Sequence, residues 1–144
     1  MTSRIATTRW EGDLMRGKGQ VEFASSHAGR FDVSFPTRSG NPDGQTSPEE
    51  LIAAAHSSCL AMNLSGTLAA EKLVARSIEV TAEATLGPDP QGGFAITGIA
   101  ITLRADVEGL DAERFAELAA TAERTCPVTK ALAGTTITLD AALV

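Results

Sequence analysis

The chain has 144 residues, of which 43% are apolar and 21% are charged, and its formal net charge at pH 7 is −6. This length and composition predict one globular domain over residues 1–144 with a core of its own. The acidic balance excludes the basic face that duplex nucleic acid requires, and the absence of Tyr argues against base-stacking surfaces. Two cysteines, Cys59 and Cys126, are too few for a disulfide scaffold.

The first ten residues, MTSRIATTRW, lack the apolar run of an export signal. No window approaches the roughly 18 consecutive apolar residues of a membrane span. We therefore expect a cytoplasmic protein without a membrane partner. Because thiols are normally reduced in that compartment, the two cysteines are interpreted as buried side chains, metal ligands or redox groups.

The N-terminal third reads as short strands joined by turns. We predict strands over Arg4–Trp10, Gln20–Ala24 and Arg30–Phe35, the last from its alternation of apolar and polar residues. The segment Pro36–Thr46 is rich in Gly, Pro, Asn and Asp and predicts a loop.

The clearest local signal is the start of a helix at Ser47-Pro48-Glu49-Glu50. Ser at the N-cap, Pro at the first helical position and Glu three residues after the Ser form a capping box. The helix is expected to run to about Lys72, buried on more than one side, with an apolar stripe that includes Leu51, Ala55, Cys59 and Met62.

The rest of the chain predicts a hairpin, two helices and a last strand. Residues 77–86 alternate without error, and the apolar phase of 94–107 slips at Gly98, which indicates a β-bulge. Asp111 is expected to cap a helix whose buried face carries Phe115, Leu118 and Ala122. Thr125-Cys126-Pro127 interrupts this helix and starts a short second helix that ends at Gly134, and 135–141 forms the closing strand. This order predicts an α+β fold with antiparallel sheet.

Both cysteines allow a structural and a chemical interpretation. Cys59 lies in mid-helix and is explained simply as a small core residue. If Pro127 is the first helical residue, Cys126 is an N-cap and the helix dipole favours its thiolate. The alternative is that Thr125 is the cap and Cys126 only packs. Spacing alone does not bring the two cysteines together.

The remaining polar candidates are also ambiguous. His56 precedes Cys59 by three residues and shares its helical face, so a Cys–His pair is one hypothesis and a hydrogen-bonded packing histidine another. A zinc site built from both cysteines with His56 and His27 lacks a close ligand pair. Arg38 reads most simply as a solvated loop charge and Glu49 as a cap residue.

Several segments together resemble the OsmC/Ohr family of organic hydroperoxide reductases. SPEELIAAAHSSC (47–59) is similar to the nucleophile helix of that family, and CPVTK (126–130) is similar to its second-cysteine motif. WEGD (10–13), RGKG (16–19), GFAIT (93–97) and His56 resemble the OsmC branch rather than the Ohr branch. The resemblance covers essentially the whole chain.

This resemblance implies a thiol peroxidase that needs neither cofactor nor metal. Cys59 then corresponds to the peroxidatic cysteine, Cys126 to the resolving cysteine, Arg38 to the arginine that activates the thiolate and Glu49 to the glutamate that holds this arginine. The family fold implies an intertwined homodimer with antiparallel sheets around long central helices. The implied substrate is an organic hydroperoxide, and the reductant of the Ohr branch is a lipoylated protein.

Helix geometry adds a prediction about the dimer. Glu49 and Cys59 are ten residues apart, about 15 Å along a helix, and helical side chains lean toward the N-terminus. One arginine would be stretched between both groups of the same chain, so we expect Arg38 and Glu49 of one subunit to serve Cys59 of the other. The rival hypotheses are a small-molecule-binding, stress-related dimer and a non-catalytic protein, both with unreactive cysteines. Oxidation of both thiols by one equivalent of hydroperoxide separates them from a peroxidase.

Overall fold

The computed structural model describes residues 1–144 and has an α+β fold, as the sequence predicts. The chain divides into two compact units, Met1–Leu51 and Ile52–Val144, which are described separately. The assignment of 1–144 to one domain stays a prediction. No helix combines the length and the apolar character that a membrane span requires.

The N-terminal unit contains a three-stranded antiparallel sheet. Its strands β1 (Thr7–Glu11), β2 (Lys18–Glu22) and β3 (Arg30–Val33) pair in chain order. β3 lies within its predicted segment and β1 overlaps its own, and both are shorter than predicted. β2 has the predicted length but begins two residues earlier. In the register of β1 and β2, Trp10 pairs with Gly19.

Two glycines of the RGKG segment make room for the Trp10 ring. A Cβ on Gly17 would lie 2.8 Å from Trp10 Cζ2 and 2.3 Å from the Asp13 carbonyl oxygen, and a Cβ on Gly19 would lie 2.8 Å from Trp10 Cε3. The indole N–H donates to the Gly12 carbonyl at 3.1 Å. The two segments that carry part of the family resemblance are therefore one packing unit.

The prediction of a loop from Pro36 is wrong at its start, where the structure has helix α1 (Phe35–Ser39). Ser34 is its N-cap, with its hydroxyl 3.4 Å from the Thr37 N–H, and Pro36 lies in its first turn. The signal is similar to that of the next helix, a Ser N-cap with a Pro in the first turn, although here Phe35 separates Ser34 from Pro36. The sequence prediction missed this helix because its five residues are too few to show a helical pattern of apolar positions.

The second helix, α2 (Pro48–Ala70), begins as predicted and ends two residues before the predicted Lys72. The Ser47 hydroxyl accepts from the Glu50 N–H at 3.1 Å. The Glu50 carboxylate accepts from the Thr46 hydroxyl at 2.7 Å. Glu50 therefore braces the residue before the cap, while Ser47 supplies the cap itself.

The C-terminal unit is built on a second sheet of three strands, β4 (Ala75–Pro88), β5 (Phe94–Val107) and β6 (Ile137–Leu143). β4 and β5 form the predicted antiparallel hairpin, and the predicted bulge is confirmed: Thr85 pairs with Gly98 and Leu86 with Ile96, which leaves Thr97 over.

The last strand corrects the expectation of wholly antiparallel sheet, because β6 runs parallel to β5. Helices α3 (Ala112–Thr125) and α4 (Pro127–Ala131) occupy the connection between them. A parallel neighbour requires such a crossover, and two helices supply it.

The core of this unit lies between its sheet and its helices. β5 contributes alternate residues from Ile99 to Val107, and α3 contributes the predicted Phe115, Leu118 and Ala122 together with Ala119. Apolar residues of β4 and β6 pack against this cluster.

The predicted stripe on α2 is wrong by about one position. The buried face repeats every four residues and consists of His56, Leu60, Leu64 and Leu68, whereas Ala55 is exposed and Met62 is 70% exposed. Three leucines bury more apolar area than the alternative alanines, so they decide which face turns inward. Leu60, which follows Cys59, is consequently a core residue.

Candidate functional site

An ion pair in the N-terminal unit joins Arg38 of α1 to Glu49 of α2. Arg38 Nε donates to both carboxylate oxygens at 3.1 Å, and Nη2 donates to Oε1 at 2.7 Å. Glu49 is buried and Arg38 is half-buried. Bidentate geometry of this kind holds the guanidinium in one orientation.

The charges of this pair reinforce each other. Hydrogen bonding to Glu49 raises the pKa of Arg38. Burial raises the pKa of Glu49, but the hydrogen bonds and charge of Arg38, the backbone N–H of Glu49 and the Ser47 hydroxyl together outweigh it and hold that pKa below its usual range. Both groups therefore remain charged at neutral pH, and Arg38 keeps its cation beside a partly buried carboxylate.

The two cysteines meet in the C-terminal unit. Cys126 Sγ lies 3.2 Å from Cys59 Sγ, within S–H···S hydrogen-bonding distance and about 1 Å beyond a disulfide bond. Cys126 is buried and stands at the N-cap of α4, as one of the two sequence interpretations predicts. Cys59 is half-buried on α2. A pair at this distance can form a disulfide with only a local adjustment.

The two thiols differ in acidity. Burial raises the pKa of Cys59, and the adjacent Cys126 raises it further. A hydrogen bond from the Val128 N–H acts in the opposite direction but does not cancel the rise. Burial also acts to raise the pKa of Cys126, but the Thr129 N–H, Cys59, the Val128 N–H and the Thr129 hydroxyl together lower it. Within one chain, the sulfur that ionises more easily is Cys126, as expected at a helix start.

His56 binds neither cysteine directly. Its side chain is fully buried, and Nε2 lies 2.9 Å from the Thr129 hydroxyl oxygen. Burial lowers the pKa of His56, partly offset by the charge of Glu123, so the ring is neutral at pH 7. The Cys59–His56 hypothesis is thus replaced by a contact between α2 and the segment that carries Cys126.

Asn63 is a second polar link between the same two parts of the unit. Its amide nitrogen donates to the Ala122 carbonyl at 2.6 Å and to the Thr125 hydroxyl at 2.8 Å. These bonds fasten the end of α3, directly before Cys126, to α2. Sequence reasoning missed Asn63 and Thr129; for Thr129, the available signal was its place one helical turn after Cys126.

Other candidate positions do not contribute to these pairs. No group of three or more His, Cys, Asp or Glu side chains could hold a metal ion, and His27 is an exposed turn residue with φ 54°. A cavity of about 420 Å³ over the N-terminal sheet contains neither cysteine and is lined by residues of both charges: Arg9, Glu11, Lys18, Gly19, Gln20, Asp32, Val33 and Gln45.

The family assignment follows from comparison with known proteins. The OsmC-like protein family matches residues 40–140. The chain belongs to this family. Peroxiredoxin OsmC of Escherichia coli is 41% identical over 131 residues, which cover 91% of this chain and 90% of the relative. The resemblance inferred from the sequence is therefore confirmed.

Two solved structures support the same fold. An organic hydroperoxide resistance protein from Elizabethkingia anophelis has a TM-score of 0.79 at 26% identity, covering 100% of this chain and 98% of its own. An organic hydroperoxide resistance protein OsmC from Legionella pneumophila has a TM-score of 0.76 at 25% identity, covering 99% and 98%. The predicted OsmC-like α+β fold is confirmed.

The four predicted site residues thus occur as two pairs, Arg38–Glu49 in one unit and Cys59–Cys126 in the other. Each pair is formed within a single chain. Their roles stay predictions, as does the homodimer.

Proposed function

We propose that this peroxidase of the OsmC-like family reduces organic hydroperoxides to alcohols, with Cys59 as the nucleophile and Cys126 as the resolving cysteine. The observation that carries the proposal is the 3.2 Å separation of the two sulfurs. Their exposures support the order of the roles, because Cys59 is half-buried and Cys126 is fully buried. A peroxide from solvent can meet Cys59 first.

The proposed reaction balances in two steps and a reduction. The Cys59 thiolate attacks the terminal oxygen of the hydroperoxide, the O–O bond breaks, and the alkoxide leaves as an alcohol after protonation. Cys59 is then a sulfenic acid. The Cys126 thiolate attacks this sulfur, the S–S bond forms, and hydroxide leaves and is protonated to water. A dithiol reductant restores both thiols by exchange.

Cys59 needs a source of thiolate stabilisation that its own helix does not supply. Its pKa is raised by burial, and a mid-helix position gains nothing from the dipole. A guanidinium stays charged at every working pH and lowers the pKa of a neighbouring thiol. We assign this role to Arg38, whose Nε and Nη2 are held by Glu49, which leaves Nη1 outside this ion pair.

We propose further that the site is composite and is completed in a homodimer. Glu49 and Cys59 are ten residues apart along the chain, about 15 Å along a helix. An arginine bound to Glu49 would therefore be stretched to reach Cys59 of the same chain. From Ala54 onward, the exposed face of α2 bears no charge, with the exposed Glu50 lying at its start, and this uncharged part supports a second copy as its partner. It is formed by small residues and one methionine: Ala54, Ala55, Ser58, Met62, Ser65, Gly66 and Ala69. A solvent-facing helix surface ordinarily carries charged residues.

The substrate preference follows from the apolar side chains near Cys59 on its helix. Leu51, Ile52, Ala55 and Met62, with Phe35, would favour an alkyl or aryl hydroperoxide over hydrogen peroxide. We keep a lipoylated protein as the proposed reductant and the cytoplasm as the proposed location.

The test is a thiol count before and after one equivalent of cumene hydroperoxide. In the native chain, both thiols should disappear within minutes and cumyl alcohol should form. In Cys126→Ser, Cys59 should be trapped as a sulfenic acid by dimedone. Cys59→Ser is the matched control and should consume no hydroperoxide. Persistence of both thiols in the native chain would favour a binding protein with unreactive cysteines.

A further inference from the structure

One buried polar pair of the C-terminal unit has no part in the steps above. His56 is 0% exposed, and its Nε2 lies 2.9 Å from Thr129 Oγ1. Its other ring nitrogen, Nδ1, is buried with no hydrogen-bond partner. Thr129 lies in α4, three residues after Cys126, and the Lys130 N–H bonds to the Cys126 carbonyl at 3.0 Å, which closes this turn.

The unpartnered Nδ1 decides where the proton of the neutral ring resides. A buried N–H without an acceptor is rarer than a buried lone pair without a donor. The proton therefore belongs on Nε2, and His56 donates it to Thr129 Oγ1. Because Thr129 Oγ1 accepts the hydrogen bond from His56, Thr129 can donate its own hydroxyl proton to a second acceptor.

The acceptor of suitable charge in the same turn is the sulfur of Cys126. Cys126 is fully buried, so water does not solvate its thiolate. Its sulfur makes no side-chain cap hydrogen bond in α4. Thr129 is the third residue of α4 after the Cys126 N-cap, the position from which a side chain can reach back to the cap. The N–H and hydroxyl groups of Thr129 are among the groups that lower the pKa of Cys126. A hydroxyl directed at the sulfur stabilises the charged form.

We infer that His56 is a positioning residue for the resolving cysteine: it donates to Thr129 Oγ1 and so directs the hydroxyl proton of Thr129 at Cys126 Sγ. This inference rests on the proposed function, in which Cys126 resolves the sulfenic acid. The reaction itself is unchanged, with S–S bond formation and loss of hydroxide from Cys59. What the pair supplies is a larger thiolate fraction at Cys126 and a fixed direction for its attack.

The first test measures ionisation of Cys126 without any peroxide chemistry. In a Cys59→Ser background, Cys126 is the sole thiol, and the absence of Tyr leaves the thiolate absorbance at 240 nm free of tyrosinate. Thr129→Val removes the hydroxyl and should raise the pKa of Cys126. Thr129→Ser keeps the hydroxyl and is the matched control, which should titrate as the parent does. Equal titration curves for the Val and Ser variants would overturn the inference.

The second test asks whether His56 acts through Thr129. His56→Leu should raise the pKa of Cys126, and His56→Gln, which retains an N–H donor near the Nε2 position, should restore it. In the Thr129→Val background, His56→Leu should have no further effect. Additive shifts would show that His56 merely packs. Circular-dichroism melts verify folding, and if His56→Leu does not fold, the Gln variant in both backgrounds carries this test.

The third measurement separates this inference from the proposed function. In the chain with both cysteines, Thr129→Val should slow disulfide formation from the sulfenic acid about ten-fold, the loss expected for one hydrogen bond to a charged group. The preceding reaction of Cys59 with cumene hydroperoxide should keep its rate. If Cys59 does not react at all, the proposed function fails, while the 240 nm titrations still decide the role of His56. An unchanged rate of disulfide formation would count against the inference.

Discussion

The two residue pairs of the proposed site are built in different ways. Arg38 and Glu49 lie in a unit whose buried apolar residues are reduced to Val21, and the pair is held by its own charges and hydrogen bonds. Cys59 and Cys126 lie in a unit with thirteen buried apolar residues, and packing of α2, α3 and the sheet brings the sulfurs together. The Arg38 guanidinium thus lies in a unit with little apolar core, whereas the thiols of Cys59 and Cys126 lie in a unit with an extensive hydrophobic core.

Because of this difference, the two pairs should respond differently to substitution. Loss of a charge in the N-terminal unit should change reactivity with little effect on the core. A three-stranded sheet with one buried apolar side chain is expected to depend on further packing for its stability. Substitutions can therefore test whether reactivity, assembly and stability are separable in this chain.

The largest expected effect is on the rate of peroxide reduction. Arg38→Ala removes the proposed activator of Cys59 and should slow its reaction with cumene hydroperoxide by about 100-fold or more. Stopped-flow measurement of thiol loss gives this rate. Arg30→Ala is the matched control, because Arg30 also pairs with a glutamate, Glu22 at 3.1 Å, outside the proposed site. Comparable slowing in the two variants would show that general charge, and not Arg38, matters.

The second effect concerns assembly. Met62→Lys places a charge in the part of the exposed α2 face that bears none, from Ala54 to Ala69. It should weaken the proposed dimer by roughly 100-fold, since an unpaired charge would be buried. Sedimentation velocity over a concentration series measures this. Val74→Lys is the control, because Val74 is an exposed apolar residue outside α2. If the native chain sediments as a monomer at every concentration, the composite site is excluded.

A smaller effect tests the packing of the N-terminal unit. Gly17→Ala adds a Cβ 2.3 Å from the Asp13 carbonyl oxygen and 2.8 Å from the Trp10 ring, and should lower the free energy of unfolding by about 1–3 kcal/mol. The spectrum of Trp10, the single tryptophan of the chain, reports the local change. Gly44→Ala is an unsuitable control because its φ is 78°; Gly134→Ala meets nothing within 4 Å and suits the purpose. Equal stabilities for both variants would contradict the packing role.

The sequence revealed those features that depend on neighbours in the chain. The start of α2 at Ser47-Pro48, the Asp111 cap, the alternation of β4 and the bulge beside Gly98 all follow from local patterns, and the structure has each of them. The parallel pairing of β6 and the inward face of α2 were not predictable in this way. They depend on which apolar surfaces of distant segments fit together, and competing stripes on α2 differ by only one position.

The residues of the proposed site show the same distinction between features set by neighbours in the chain and features set by distant segments. Cys126 as an N-cap could be inferred from the Pro that follows it, but its meeting with Cys59 depends on the whole C-terminal fold. The contact of His56 with Thr129 joins residues 73 positions apart. Such a contact leaves no spacing in the sequence, so His56 was interpreted with its nearest chemical neighbour, Cys59.

The smallest effect concerns the acid stability of the C-terminal unit through His56. Burial lowers the pKa of His56 below its ordinary value of 6.5, with Glu123 acting in the opposite direction. Below pH 6.5 the unfolded chain takes up a proton that the folded chain does not bind. Stability is therefore complete above this pH and declines as the pH falls toward the lower pKa of the folded state, by at most about 1.4 kcal/mol per pH unit.

His56→Gln removes this titration and should flatten the decline, so the stability difference from the native chain narrows between pH 7 and pH 5. Urea unfolding midpoints across this range measure it. His27→Gln is the control, because His27 is exposed and lies in the other unit, and this variant should follow the native curve. A gap between native and His56→Gln chains that stays constant with pH would mean that His56 has the same pKa in the folded and unfolded chains, so that it becomes charged in the folded state below pH 6.5. In that case both ring nitrogens would be donors, and the buried Nδ1 would be an unpartnered N–H, which the core does not tolerate without cost.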